Sequence, residues 1–258
     1  MLAGDTKDLM GSIQLEDEYG KKTELLYSGK AKDMFLTDTP GVLWVTYKDQ
    51  ATALNGKRKV QIQGKGALNR QISGLLFEEL TAAGIPTHFI KDLDDHTMLV
   101  RQCEMIPLEA VVRNLASGSF ERKFHTAHLM KLTPAVHEFY YKSDALDDPF
   151  INDEQIKALG YADTATLAAI HELADRVNAL LQKRFAGIGI ALVDFKLEFG
   201  RLANGTLVLA DELSPDNMRL VDEATGKSLD KDVFRKDAGP LTPVYQVVLD
   251  RLKGVAHV

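Results

Sequence analysis

Between Val193 and Phe199 the chain alternates strictly, with Val193, Phe195, Leu197 and Phe199 apolar and Asp194, Lys196 and Glu198 charged. A period of two predicts a strand whose second face carries acid, base and acid. Earlier, residues 24–37 hold two apolar clusters around a polar Gly-Lys turn, and residues 41–49 are β-branched and aromatic, so two or three antiparallel strands are expected. From Gly66 the spacing changes to that of a helix through Leu68, Ile72, Leu75, Leu76 and Leu80, with Gly84 and Pro86 as the stop. Residues 97–114 alternate again, and the boundary between two lobes is placed at Pro107. Leu167, Ile170, Leu173, Val177, Leu180 and Leu181 predict the longest helix, opened by Asp163 as N-cap and followed by Gly187. Val244, Val247, Val248 and Leu252 predict a closing helix. The mixture is α+β, with a polar N-terminal extension over 1–22 expected to be poorly ordered, a β-rich lobe over 23–107 and a larger α+β lobe over 108–258, with a cleft between the lobes.

Past the charged strand comes Asn204-Gly205 between two alternating runs, the signal for a tight hairpin with a type I′ turn. If Ala203 pairs with Thr206, Glu198 stands opposite Asp211. Like charges directly opposed destabilise a sheet, so either one acid has a raised pKa or a divalent cation such as Mg²⁺ sits between them. Lys196, on the same face, would then point at a phosphate. The alternative is a set of solvated charges on the outer face of a surface hairpin.

The totals narrow the class. A chain of 258 residues, 45% hydrophobic and 26% charged, has the composition of a globular protein. Its single cysteine, Cys103, excludes an intramolecular disulfide and a cysteine-based zinc cluster. No apolar run approaches the ~20 residues of a membrane span, and the acidic start does not read as a secretory signal, so no membrane partner and a cytoplasmic location are expected. A formal net charge of −6 disfavours nucleic acid and favours a small anionic substrate held by a few lysines and arginines.

Candidate chemistry follows from short stretches. In "YSGKAKDMF", Gly29 permits close backbone approach, with Lys30 and Lys32 on one face if the segment is extended, a pattern that suits nucleotide phosphates or merely an exposed turn. No GxxxxGK[ST] and no GxGxxG occurs, so P-loop and dinucleotide-binding readings have no support. "VVRNLASGSF" places Arg113 shortly before Gly118 and Ser119, a combination able to bind phosphate or carboxylate. Asp144, Asp147 and Asp148 read as ligands of hydroxyls or amines or, for the last two, as turn formers. Arg219 and Arg235 are further anion candidates, whereas His125 and His128 read as surface residues without a third ligand.

Taken in order, "YSGKAKDMF", "EMIPLEAVVRNLASGSF", "KSDALDDP", "LVDFKLEFG", "DELSPDNMRL" and "LDKDVFRKD" resemble the phosphoribosylaminoimidazole-succinocarboxamide synthases, the SAICAR synthetases of purine biosynthesis. The resemblance runs from about Leu26 to the C-terminus. It implies a two-lobe fold akin to kinases and ATP-grasp enzymes, a homodimer, and an ATP-dependent ligase that uses Mg²⁺. The implied reaction joins L-aspartate to carboxyaminoimidazole ribotide through an acyl phosphate. By the same resemblance, Lys30, Ala31 and Lys32 lie by the nucleotide phosphates, Glu104 and Met105 line the adenine hinge, and Glu198 and Asp211 hold the metal. Lys196 and Arg219 are the catalytic candidates, Lys196 also contacting phosphate. Arg113, Ser119, Asp144, Arg219 and Arg235 are the substrate-binding set. Asn55 departs from the aspartate that the family often carries. The competing reading is a kinase-like small-molecule phosphotransferase, disfavoured in its protein-kinase form by the lack of HRD-type and DFG motifs.

Overall fold

The computed structural model describes residues 20–53 and 58–254; nearly all of the expected N-terminal extension, and Asn55, lie outside the described residues. Strands β1 (Lys22–Ser28), β2 (Lys32–Thr37), β3 (Val42–Tyr47), β6 (Phe89–Asp92) and β7 (Thr97–Arg101) form an antiparallel sheet in the order β1-β2-β3-β7-β6. A ribbon of β4 (Gln50–Ala53) and β5 (Arg58–Gln61) stands beside it. Helix α1 (Lys65–Ala82) lays Leu68, Ile72, Leu76 and Leu80 against this sheet, all buried as their spacing requires. It begins in tight contact with β3, since a Cβ at Gly66 would stand 2.7 Å from the Tyr47 carbonyl oxygen.

The second sheet contains β8 (Glu104–Leu115), β9 (Lys131–Tyr141), β10 (Phe150–Ile151), β11 (Ile190–Arg201) and β12 (Leu207–Ala210), ordered β10-β9-β8-β11-β12. Strand β13 (Met218–Asp222) pairs with the first half of β11, so β11 has a strand on each side at Asp194, Phe195, Glu198, Gly200 and Arg201. The chain passes from one sheet to the other at Gln102 and Cys103. Pro107 does not end a strand: it sits inside β8 at a register shift opposite β11, where a residue without an N–H is tolerated. Helix α4 (Thr164–Ala186) packs on β11 and β8, and the Asp163 carboxylate caps it by accepting from the Thr166 N–H. Burying Leu167, Ile170, Leu173, Val177, Leu181 and Phe185 there contributes about 2 kcal/mol per side chain.

Short helices α2 (Gly118–Phe124), α3 (Asp153–Ala158) and α5 (Asp232–Arg235) fill the connections. The closing helix α6 (Leu241–Leu252) packs on α1. One hydrophobic core therefore includes Leu43 and Phe77 from the first lobe together with Phe195 and Val248 from the second. The result is the expected two-lobe α+β fold. With both faces covered, β11 carries buried charges: Asp194 and Glu198 are each less than 5% exposed, which removes the reading of a solvated surface hairpin.

Candidate active site

The hairpin after β11 differs from its sequence reading by one residue. Leu202 N–H donates to the Thr206 carbonyl and Gly205 N–H to the Leu202 carbonyl, which makes a three-residue loop with only Gly205, at φ +84°, in the left-handed region. Asn204 does not take positive φ, so the turn is a type I turn with a bulge at Gly205 in place of type I′. Glu198 consequently pairs with Ala210, not with Asp211. Asp211 lies just past β12 with φ +63°, and this backbone turn re-aims its carboxylate to the face that Glu198 shares with Lys196.

The two acids meet through lysines. Lys196 Nζ donates to Glu198 Oε1 at 2.6 Å and to Glu109 Oε1 at 2.9 Å, and lies 3.9 Å from Asp211 Oδ2. Lys32 Nζ, from β2, donates to Asp211 Oδ1 at 2.5 Å and lies 3.8 Å from Glu212 Oε2, which has no hydrogen-bond partner. Lys142, at the end of β9, donates to Glu198 Oε2. Five groups thus alternate in sign as Lys32, Asp211, Lys196, Glu198 and Lys142. Burial opposes charge on Lys32, but Asp211 and Glu212 outweigh it and hold the ammonium above the usual lysine range. Burial likewise opposes charge on Asp211, yet Lys32 and Lys196 hold its carboxyl well below the usual range. Glu212 moves the other way, raised by burial. At the rim, Lys30 Nζ reaches Asp144 Oδ1 at 2.6 Å in solvent, bridging the β1–β2 turn and the second lobe.

A second group surrounds a cavity of about 620 Å³ lined by Ser117, Gly118, Glu121, Arg122, His128, Arg219, Asp232, Arg235 and Lys236. Buried Arg113 donates to Asp194 at 2.7 Å, to Glu138 at 2.8 Å and to the Ser119 hydroxyl at 3.1 Å. Arg219 shares Asp194 through bonds of 2.9 and 3.1 Å. Asp232 faces Arg219 at 3.4 Å, Arg235 at 2.8 Å and Lys236 at 3.2 Å. Burial works against ionised Asp232, but Arg235 and Arg219 bring its pKa down to about 2. The cavity is thus cationic along one wall, with Asp232 tying the cations together, a surface suited to a phosphorylated ligand.

The chain as a whole is similar to known proteins. The family model of SAICAR synthetase matches residues 25–252. The phosphoribosylaminoimidazole-succinocarboxamide synthase of Lacticaseibacillus paracasei is 63% identical over 92% of this chain and 99% of its own, and that of Lactiplantibacillus plantarum is 59% identical over 91% and 97%. Among solved structures, the Ehrlichia chaffeensis enzyme superposes with a TM-score of 0.87 at 40% identity, covering 91% of this chain and 100% of that one. A SAICAR synthetase solved in complex with ADP gives 0.86 at 44% identity, covering 90% and 98%. The chain belongs to the SAICAR synthetase family. It is therefore an enzyme, a ligase of purine biosynthesis.

Within this SAICAR synthetase the residues singled out in the sequence separate into groups. Lys32, Lys196, Glu198 and Asp211 converge in one chain of charges. Arg113, Ser119, Arg219 and Arg235 surround or back the cavity. Glu104 and Met105 pair with Arg201 and Gly200, a few residues along β11 from Glu198, and the Ala31 carbonyl accepts from the Lys48 N–H. Asp147 and Asp148 are turn residues at φ +64° and +44°. His128, read as plain surface, lines the cavity and pairs with Glu121 at 3.0 Å. The sequence reading missed Lys142, Asp232 and a buried junction in which Asp216 accepts from Lys65 at 2.6 Å and from the Tyr245 hydroxyl at 2.6 Å, with Lys231 at 3.4 Å. Asp194 did carry a signal, as the first acid on the polar face of β11; isolated lysines such as Lys65 and Lys142 carried none.

Proposed function

We propose that this enzyme uses ATP to join L-aspartate to carboxyaminoimidazole ribotide, releasing SAICAR, ADP and phosphate. The observation that carries the reading is the alternating chain from Lys32 to Lys142, with Glu198 buried within it, together with a cationic cavity of about 620 Å³ lined by Arg219 and Arg235. That a relative 44% identical was solved with ADP supports the nucleotide assignment. The ribotide carboxylate attacks the γ-phosphorus and the bond to the ADP oxygen breaks, giving an acyl phosphate. The aspartate amine then attacks the acyl carbon, phosphate leaves, and the nitrogen loses a proton. Such transfers depend on positioning and charge stabilisation more than on a protein nucleophile. Lys30 and Lys32 would meet the phosphates, with Ala31, Glu104 and Met105 along the nucleotide. Lys196 would neutralise charge on the transferring group. Arg219, held by Asp194, would orient the ribotide with Arg113, Ser119 and Arg235, and Asp144 would close the rim. Glu198 and Asp211 offer hard oxygen donors, and among the described residues no cluster of three or more His, Cys, Asp or Glu forms a cage. This donor set fits Mg²⁺, which takes one or two carboxylates and fills its remaining positions with phosphate oxygens and water. When bound, the ion would offset charge on the phosphates.

The test is an assay with ATP, magnesium, ribotide and aspartate. Aspartate-dependent SAICAR formation is expected; ADP formation without it would instead favour a phosphotransferase. Glu198→Gln and Asp211→Asn are each expected to lower kcat at least about a hundredfold with unchanged circular dichroism. Normal turnover by both variants would sink the metal assignment.

A further inference from the structure

Helix α5 supplies Asp232 and Arg235 to the cavity, yet it is one turn long and its N-cap, Lys231, makes no side-chain cap. Its start is held from outside. Asp230 Oδ1 accepts from the Asp232 N–H at 2.7 Å, and Asp230 Oδ2 accepts from the Leu220 N–H, on β13, at 2.8 Å. Leu220 directly follows Arg219. One buried carboxylate therefore bridges the backbone beside Arg219 to the backbone of Asp232, the residue that gathers Arg219, Arg235 and Lys236.

We infer that Asp230 is a positioning residue for the ribotide pocket, setting the spacing of β13 and α5 so that Arg219 and Asp232 face the ligand together. The inference rests on the reading of this cavity as the ribotide site. Burial pushes the Asp230 carboxyl up to about 6, while the two backbone N–H groups pull it down and Asp232 raises it. The other charged or titratable groups facing it are Arg219 from β13 and Tyr245 from α6. Protonation turns one accepting oxygen into a hydroxyl and weakens one arm of the bridge.

The experiment compares steady-state kinetics of the full-length enzyme, Asp230→Asn and Asp230→Ala, with Arg235→Ala as the control for the pocket. Asp230→Asn keeps the shape but loses one acceptor. It is expected to raise the ribotide KM about tenfold at pH 8, with the KM for ATP and the kcat within about twofold. Asp230→Ala should raise the ribotide KM further if it folds. The ratio of ribotide KM between Asp230→Asn and the unsubstituted enzyme should fall towards one as pH drops from 8 to 5, because Asp230 then becomes neutral in both; titration of the ribotide phosphate cancels in this ratio. A ribotide KM unchanged in Asp230→Asn, a ratio independent of pH, or a uniform rise in every KM would overturn the inference. If Arg235→Ala raises the ribotide KM while Asp230→Asn does not, Asp230 alone is excluded. An Arg235→Ala variant with normal ribotide KM overturns the pocket and the inference built on it.

Discussion

At Gly118 an added Cβ would stand 2.7 Å from Arg219 Nη2, and the backbone there sits at φ +59°, where a side chain is strained. The glycine is what lets the guanidinium lie against the chain at the cavity mouth. Gly118→Ala is therefore expected to raise the ribotide KM about tenfold, checked by initial rates, with melting lowered by a few degrees. His88 shows a different single-residue effect. Burial, and next Lys32, bring its imidazole down to about 3, so the folded protein keeps it neutral. The unfolded chain protonates near pH 6.5. Below that pH the unfolded state binds the extra proton, and stability is lost as pH falls from about 6.5 towards 3. The unfolding free energy of the enzyme relative to His88→Phe should accordingly drop by about 2 kcal/mol between pH 7 and pH 5 in urea titrations. A difference that does not change with pH would count against it.

At the scale of elements, the hairpin between β11 and β12 depends on Gly205 for its bulge. Gly205→Ala meets no atom within 4 Å, so its cost is conformational alone, about 1 kcal/mol, and activity should stay within about twofold. A melting curve and a rate measurement settle this. The same hairpin shows what a sequence can and cannot disclose. Asn-Gly between alternating runs marks the reversal, but two-residue and three-residue loops share that cue, and the choice shifts the register by one. The association of Glu198 with Asp211 survives only because Asp211 leaves the strand in a left-handed conformation. The three long helices, α1, α4 and α6, were legible from spacing and, for the first two, from Gly84 and Asp163, since both devices are local, whereas the short helices α2, α3 and α5 were not read. Burial of Asp194 and Glu198 was not, because alternation looks the same whether the polar face meets water or other strands. Arg113, Ser119 and Arg235 stood out in the sequence only as anion candidates; their proposed assignment to the substrate rests on resemblance, which periodicity could not supply.

Across the whole molecule, two of the polar contacts that join the lobes differ sharply. One is the Lys65, Asp216 and Tyr245 junction, buried between α1, the loop after β12, and α6. Breaking such a pair strands a charge away from water at about 3–5 kcal/mol. The other is Lys30 with Asp144, an exposed pair worth at most about 1 kcal/mol. Amide exchange is expected to be slow through residues 68–76 of α1 and fast through 28–31, and equal protection at both would contradict this contrast. The contrast gives the boundary between the lobes a dry side at Lys65 and a wet edge at Lys30, where water can replace the ion pair. Opening that edge costs little, while Lys32, two residues further along the chain, stays bonded to Asp211 and keeps the halves together.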